Sequence, residues 1–232
     1  MTEALRMDVE QLREQAGELA IEQHLLLSGW VYGFTDQAHK RIYDLLADDK
    51  VLPVDLDKAI IFYTNPSPSP KGQKIGAVGP AASLNMDIYL PQMMDLGVIA
   101  TIGKGERSKE AYETIQKHGG VYLTAVGGTG ALLSSCIEEW ETIAFEDLGD
   151  QAIRRYLLKD FPVTVAADST GRNLFEIGRF KYRRFCQRVR ADPVDGFSSF
   201  QLLVVPGDLK EGQLHGKSGT ADPVGSCRPF YS

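Results

Sequence analysis

The stretch "VIATIGKGERSKEAYETIQKHGGVYLTAV", Val98 to Val126, decides how the chain is built. "VIATIG" is a short apolar, β-branched run that reads as a buried strand, and "GVYLTAV" reads the same way. Between them "SKEAYETIQKHG" reads as a helix. Ser108 supplies a cap, Glu110 and Glu113 stand in the opening turns, and Gly119-Gly120 ends it. Strand, helix, strand in this order predicts a sheet with helices laid on it.

The pattern extends in both directions. Upstream, "DVEQLREQAGELA" carries Val9, Leu12 and Ala16 at helical spacing, and "HLLLSGWVYGF" reads as a strand through Ser28 and Gly29. "TDQAHKRIYDLLADD" opens with a Thr35/Asp36 cap and sets Ala38, Ile42, Leu45 and Leu46 on one stripe, which predicts a packed helix. "KAIIFYT" follows as a buried strand, "NPSPSPKGQ" as a proline-interrupted loop, "KIGAVG" as a short strand and "YLPQMMDLG" as a helix. Downstream come "GTGALLSSC" as a helix, then "EEWETIAFE" and "DFPVTVAADS" as two successive strands. Two strands in a row make the sheet mixed. The expected class is α/β.

Past Glu176 the character changes. "GRFKYRRFCQRVR" carries Arg179, Lys181, Arg183, Arg184, Arg188 and Arg190 without an acid, with Phe180, Tyr182 and Phe185 read as packing residues. The remainder is turn-rich around one strand candidate, Phe200 to Val205. The expected organisation is a domain over 1–176 and a basic, irregular C-terminal extension over 177–232.

With 43% hydrophobic residues among 232, the chain is able to bury a full core. A net charge of −6 argues against nucleic acid or anionic membrane as a partner, because both reward an excess of Lys and Arg. No apolar run reaches the roughly 18 residues of a membrane span, and "MTEALRMDVEQLREQAGELA" lacks a secretory apolar centre, so the expected location is cytoplasmic. Cys136, Cys186 and Cys227 are odd in number with no CxxC spacing, which predicts neither a disulfide framework nor a metal site of the chain's own.

Chemistry concentrates in two turns. "IGKGERS" sets Lys104 between two glycines after a strand and before a helix, where backbone N–H groups, helix dipole and ammonium are able to meet an anion together. A plain tight turn is the alternative. A dinucleotide site lacks its third glycine, since Ser108 stands there. "GPAASLNMD", Gly79 to Asp87, has the glycine and proline of an anion turn but alanines at 81 and 82 and an amide at Asn85. His39 sits near Asp36 in the second helix, open to either a packing or a polar site role. His24, His118 and His215 are isolated. "GQLHGKS" is one residue short of a phosphate-binding loop between Gly212 and Gly216, and Cys227 has no His or Asp constellation around it.

Five segments in order, "LLLSGWVYGFTDQAHKRI", "GAVGPAASLNMDIYLPQMMDLG", "IGKGERS", "GGVYLTAVGGTGALL" and "EDLGDQAIRRYLLKDFPVTVAADSTGRNLF", give the chain from about Leu25 to Phe175 a marked resemblance. It resembles the β subunit, or C-terminal domain, of class I fumarases and L(+)-tartrate dehydratases, the iron–sulfur hydro-lyases. The resemblance implies a swivelling β/β/α fold that closes over a [4Fe-4S] cluster held by a separate α subunit or N-terminal domain. It also implies a small carboxylate or other anionic substrate, and an oligomer. By position it implies Lys104, Asp36 and His39 as catalytic residues, and Thr35, Gly79, Ala81, Ser83, Asn85, Asp87 and Lys104 as substrate-binding residues.

Where the family has an arginine before the aspartate of the second helix, this chain has Thr35. Its anion turn usually carries a threonine and an arginine where Ala81 and Asn85 stand here. Each charge-assisted hydrogen bond to a carboxylate is worth roughly 1.5–3 kcal/mol. The implied function is therefore a hydro-lyase β subunit with an altered substrate, its active site completed by a cluster-bearing α subunit. The alternatives are a non-catalytic binding or assembly relative, and a standalone enzyme that reuses the pocket.

Overall fold

Strand His24–Phe34 (β2) alternates buried and half-exposed positions, so one row of its side chains faces inward. The computed structural model describes residues 4–70 and 75–189, with 182–189 by backbone alone. All of this lies in one unit, Met1–Ala191, and Asp192–Ser232 lies outside the described residues. The Phe200 to Val205 strand candidate, the "GQLHGKS" turn and Cys227 therefore fall outside the description.

The expected elements are present: helices Val9–Gln15 (α1), Asp36–Ala47 (α2), Leu90–Asp95 (α3), Lys109–His118 (α4) and Gly130–Ser134 (α5), and strands Ile60–Tyr63 (β3), Ala100–Gly103 (β4), Val121–Thr124 (β5) and Ile137–Ala144 (β6). Thr35 caps α2 by accepting from the Ala38 N–H, and Ser108 caps α4 by accepting from the Ala111 N–H. Gly119 ends α4 in the left-handed conformation. A short strand, Leu5–Asp8 (β1), precedes α1 and carries one buried side chain, Met7, too little pattern for its sequence to announce it.

Strand Ile153–Ala167 (β7) is longer than its sequence suggests, since only "DFPVTVAADS" reads as strand. Arg154 and Arg155 disguise the first half. Their guanidinium groups lie over the Trp140 and Trp30 rings, at 4.7 and 4.5 Å from the centroids, so two charged residues pack as part of a sheet surface. "KIGAVG" forms no strand among its described residues. Ala77 instead exchanges hydrogen bonds with Ser67, and Pro80 makes an isolated bridge to Thr64.

β2, β3, β4 and β5 run parallel in that order, and β7 is antiparallel to both β5 and β2. The pairings thereby close a circuit, with β1 added to β2 and β6 added to β7. The sheet is mixed and the class is α/β, as expected. Alternate residues of β3 serve two cores: Ile60 and Phe62 join the cluster with Leu25, Leu27, Ile102 and Phe161, while Ile61 and Tyr63 join Phe34, Ile42 and Met93. Each such fully buried side chain contributes roughly 1.5–3 kcal/mol.

A final helix, Leu174–Val189 (α6), contains most of the basic run and passes through the boundary that the sequence suggests at 176. Phe180 on it is largely exposed.

Candidate functional site

The four parallel strands all end on one side of the sheet, and the sequence motifs follow directly from those ends. Thr35 follows β2, Thr64 follows β3, Lys104 follows β4, and the Ala125–Thr129 turn follows β5. In closed as in open α/β sheets, the face at the carboxyl ends of the parallel strands is where ligands bind. The segment at 80–83 extends this edge: Ala81 N–H donates to the Tyr63 carbonyl, Lys104 N–H to the Ala81 carbonyl, and Ser83 N–H to the Lys104 carbonyl. "GPAASLNMD" and "IGKGERS" are thus laid side by side.

Ser83 is buried, and its hydroxyl donates to the Tyr122 hydroxyl at 2.9 Å, which in turn donates to the Gly105 carbonyl at 2.8 Å. Burial pushes the Tyr122 hydroxyl up to about 12, against the opposing Ser83 hydrogen bond and Arg107 charge. Tyr122 is therefore a neutral donor. Gly103 makes room for this arrangement, because a Cβ there would stand 2.0 Å from Ser83 Oγ.

Asp87 meets Arg107. Arg107 Nε donates to Asp87 Oδ1 at 2.7 Å, the Ser108 N–H donates to Oδ2 at 2.6 Å, and Arg107 also reaches Thr101 Oγ1 at 2.9 Å. The guanidinium lies between the faces of Tyr63 and Tyr122. Sequence reasoning did not single out Arg107. No local signal marks it, since its acid lies 20 positions earlier. The N-terminus of α4 does hold an anion, and that anion is the chain's own Asp87.

Lys104 itself is exposed, and its ammonium has no acidic partner among the described residues. Its stem crosses the following turn closely enough that a Cβ on Gly127 would stand 3.1 Å from Lys104 Cδ. Asn85 is likewise exposed, with its backbone N–H on the Ala82 carbonyl. Ala81 is buried, its methyl in the Phe34 and Tyr63 cluster. The Gly79 carbonyl accepts from Thr64 Oγ1 at 2.9 Å, and Gly79 packs on Gly130 so closely that a Cβ would lie 3.2 Å from the Gly130 Cα.

Thr35 and His39 form a second group around the start of α2. Thr35 is fully buried and its hydroxyl donates to the Gln151 carbonyl at 2.9 Å while accepting from Ala38 N–H. His39 Nδ1 donates to the Thr35 carbonyl at 2.8 Å. The ring is walled by Phe34, Tyr63 and Tyr89, and its Nε2 is buried with no hydrogen-bond partner. Burial lowers its pKa to about 4, with the Arg107 charge adding to that effect and the Thr35 carbonyl opposing it. His39 is therefore a neutral core histidine that fastens Thr35. Asp36 is exposed and faces an open groove with Gln37, Lys40, Arg41, Asp44 and Leu148, whose walls do not include Lys104.

The structure sets Gly79, Ala81, Ser83, Asn85, Asp87 and Lys104 along the turns at this edge and Thr35, Asp36 and His39 at the start of α2, and the two groups share a wall formed by Phe34 and Tyr63. No group of three His, Cys, Asp or Glu side chains suited to a metal ion occurs among the described residues, and none of their helices is long and apolar enough to cross a membrane. The described residues do not fit an iron–sulfur cluster.

Residues 1–178 match the family model described as Fumarase C-terminus. The chain belongs to the fumarase C-terminal family. Within that family it is 29% identical over 173 residues to fumarate hydratase 2 of Leishmania major, covering 74% of this chain and 30% of that one. It is 29% identical over 180 residues to the anaerobic class I fumarate hydratase of Escherichia coli K12, covering 75% and 33%. Against the putative L(+)-tartrate dehydratase subunit beta of Methanocaldococcus jannaschii it is 29% identical over 170 residues, covering 71% and 87%. The match to the fumarate hydratases spans about a third of their length. Its relatives are hydro-lyases, and the chain is a member of the C-terminal, or β, part of that family.

Proposed function

We propose that this chain forms the substrate-anion half of a hydro-lyase active site, with an altered substrate, completed by a cluster-bearing α-type partner. One observation carries the reading. In a member of this family, Lys104 follows the carboxyl end of β4 exposed and with no acidic partner among the described residues, on a segment bridged to Ala82. A Lewis acid that takes the leaving hydroxide belongs, on this reading, to the partner. This chain's own part is binding and orientation. Lys104 holds a carboxylate, and Asn85 offers it or its neighbour a neutral hydrogen bond.

The Gly79 to Ser83 segment and the Asp87–Arg107 pair fix the turn that presents them. Thr35, held by His39, closes the far side. Ala81 has no group able to carry a proton, so Asp36, exposed at α2, is this chain's candidate for proton transfer once the partner closes on it. Closure by a swivelling domain, assembly into an oligomer and a cytoplasmic location belong to the same reading.

The test is co-expression of the full chain with a cluster-bearing α-type subunit, followed by dehydration and hydration assays with hydroxy acids. Turnover that falls at least 100-fold in Lys104→Ala supports the proposal. A complex that assembles with its cluster yet turns over nothing supports a second reading, a non-catalytic assembly relative. That reading draws on the side chains of Thr35, Ser83 and Asp87, all engaged inside the fold.

A further inference from the structure

We infer that the half-site on this chain takes one carboxylate only, and that its substrate class is a 3-hydroxy monocarboxylate or the matching 2-enoate with an uncharged remainder. The inference rests on the reading of Lys104 as a carboxylate ligand and adds the charge and shape of what Lys104 holds.

Among the described residues, the charges that meet at the turn are matched except that of Lys104. Arg107, whose side chain is wholly buried, is bound to Asp87. Glu106, two positions from Lys104, is held by Arg179 of α6 at 2.7 Å. That contact comes from just past residue 178, where the family match ends. It keeps an acidic side chain engaged away from the lysine. Among the described residues Lys104 remains as one net positive charge at this turn, enough to compensate one carboxylate. Among the described residues this turn offers a second carboxylate no free cation: Asn85 is neutral, and Ala81 and Thr35 are buried inside the fold. A dianion desolvated there would carry one charge without a cationic partner, and burying an unpaired charge is strongly unfavourable.

Two exposed apolar side chains stand on the segments that flank the lysine. Leu84, next to the Ser83 that bonds the Lys104 carbonyl, is 56% exposed, and Val126, next to the Gly127 that the Lys104 stem crosses, is 71% exposed. An alkyl or amide remainder has apolar side chains and the Asn85 amide to meet, where a carboxylate has no cation. The chemistry then fixes which carboxylate is kept. Loss of water requires a proton to leave the carbon next to a carboxylate, because only there does the carboxylate take up the developing charge. In the forward direction the Cα–H and Cβ–OH bonds break, the Cα=Cβ bond forms, and one water leaves with no net oxidation. A 3-hydroxy acid becomes a 2-enoate.

Crotonate and fumarate are a matched pair for the test, since both are trans four-carbon enoates and differ by a methyl in place of the second carboxylate. The full chain, without any partner, is titrated with each at 0.15 M salt, where long-range attraction is screened beyond about 8 Å. Binding is read from the amide signals of Gly103, Lys104 and Gly105. Crotonate is expected to bind at least as tightly as fumarate. Asn85→Arg, at an exposed position, is expected to shift the preference toward fumarate by about tenfold or more, and Lys104→Ala to lose both ligands. Fumarate binding tenfold tighter than crotonate in the natural chain, no shift in preference in Asn85→Arg, or no binding of either acid would each overturn the inference. Because no partner is present, a crotonate preference stands even if the assembled complex proves inactive, so the two readings fail separately.

Discussion

Arg107 and Asp87 form an ion pair with the guanidinium fully buried and the carboxylate 7% exposed, at 2.7 Å from Nε to Oδ1. Removing one partner of such a pair leaves the other as an uncompensated buried charge, at a cost of about 3–5 kcal/mol. Arg107→Ala and Asp87→Asn are each expected to lose stability on that scale in urea denaturation. The double variant Asp87→Asn, Arg107→Met is expected to lose less than the sum. A loss below about 1 kcal/mol in both single variants would show that the pair does not fasten the turn.

His39 makes the fold sensitive to acid. Its folded-state pKa is about 4 and its ordinary value is 6.5. Between these values the unfolded chain binds a proton that the folded chain refuses. The stability is therefore full above pH 6.5 and falls as the pH drops toward about 4, by about 3 kcal/mol over that window. His39→Phe, measured by chemical denaturation at pH 7 and pH 4.5, is expected to show a smaller difference between the two than the natural chain. An equal difference would assign the acid sensitivity elsewhere.

Thr35 joins the start of α2 to the Gln151 carbonyl by a single hydroxyl. Thr35→Ala removes a helix cap, worth about 1 kcal/mol, and orphans the contact to Gln151. Thr35→Ser keeps both hydrogen bonds and is expected to lie within about 0.5 kcal/mol of the natural protein. Thermal unfolding separates the two, and equal losses in both would mean that the methyl group, not the hydroxyl, matters.

Two glycines beside the lysine are expected to respond in opposite ways. Gly103→Ala drives a methyl to 2.0 Å from Ser83 Oγ, inside the buried Ser83–Tyr122 contact, and is expected to destabilise by about 1–3 kcal/mol. Ser83→Ala should recover part of that loss. Gly127→Ala meets only the flexible stem of Lys104, at 3.1 Å, so stability should change little while carboxylate binding weakens. The reverse ordering in calorimetry and ligand titration would contradict the placement of Lys104.

Much of the scaffold was legible because its signals are local. The Thr35 and Ser108 caps, the Gly119 stop and the buried run of β3 each depend on residues within a few positions of one another. The misses have physical reasons. β1 buries too little to show a pattern, and the first half of β7 hides behind arginines that lie on tryptophan rings. The anion turns were found as segments. The engagement of Asp87, Ser83 and Thr35 inside the fold was not readable, because their partners Arg107, Tyr122 and Gln151 lie 20, 39 and 116 positions away.

Periodicity and turn chemistry thus determined by themselves that this chain forms a mixed α/β sheet, with Lys104 and Asn85 on the loops that leave it. Only the closed circuit of strands decided which polar groups still face solvent. Hydrogen bonds and ion pairs act over a few ångströms, so whether a side chain is free or engaged depends on which distant segments the sheet sets side by side. By that arrangement Arg107 became part of the frame, and Lys104 was left exposed with no acidic partner among the described residues.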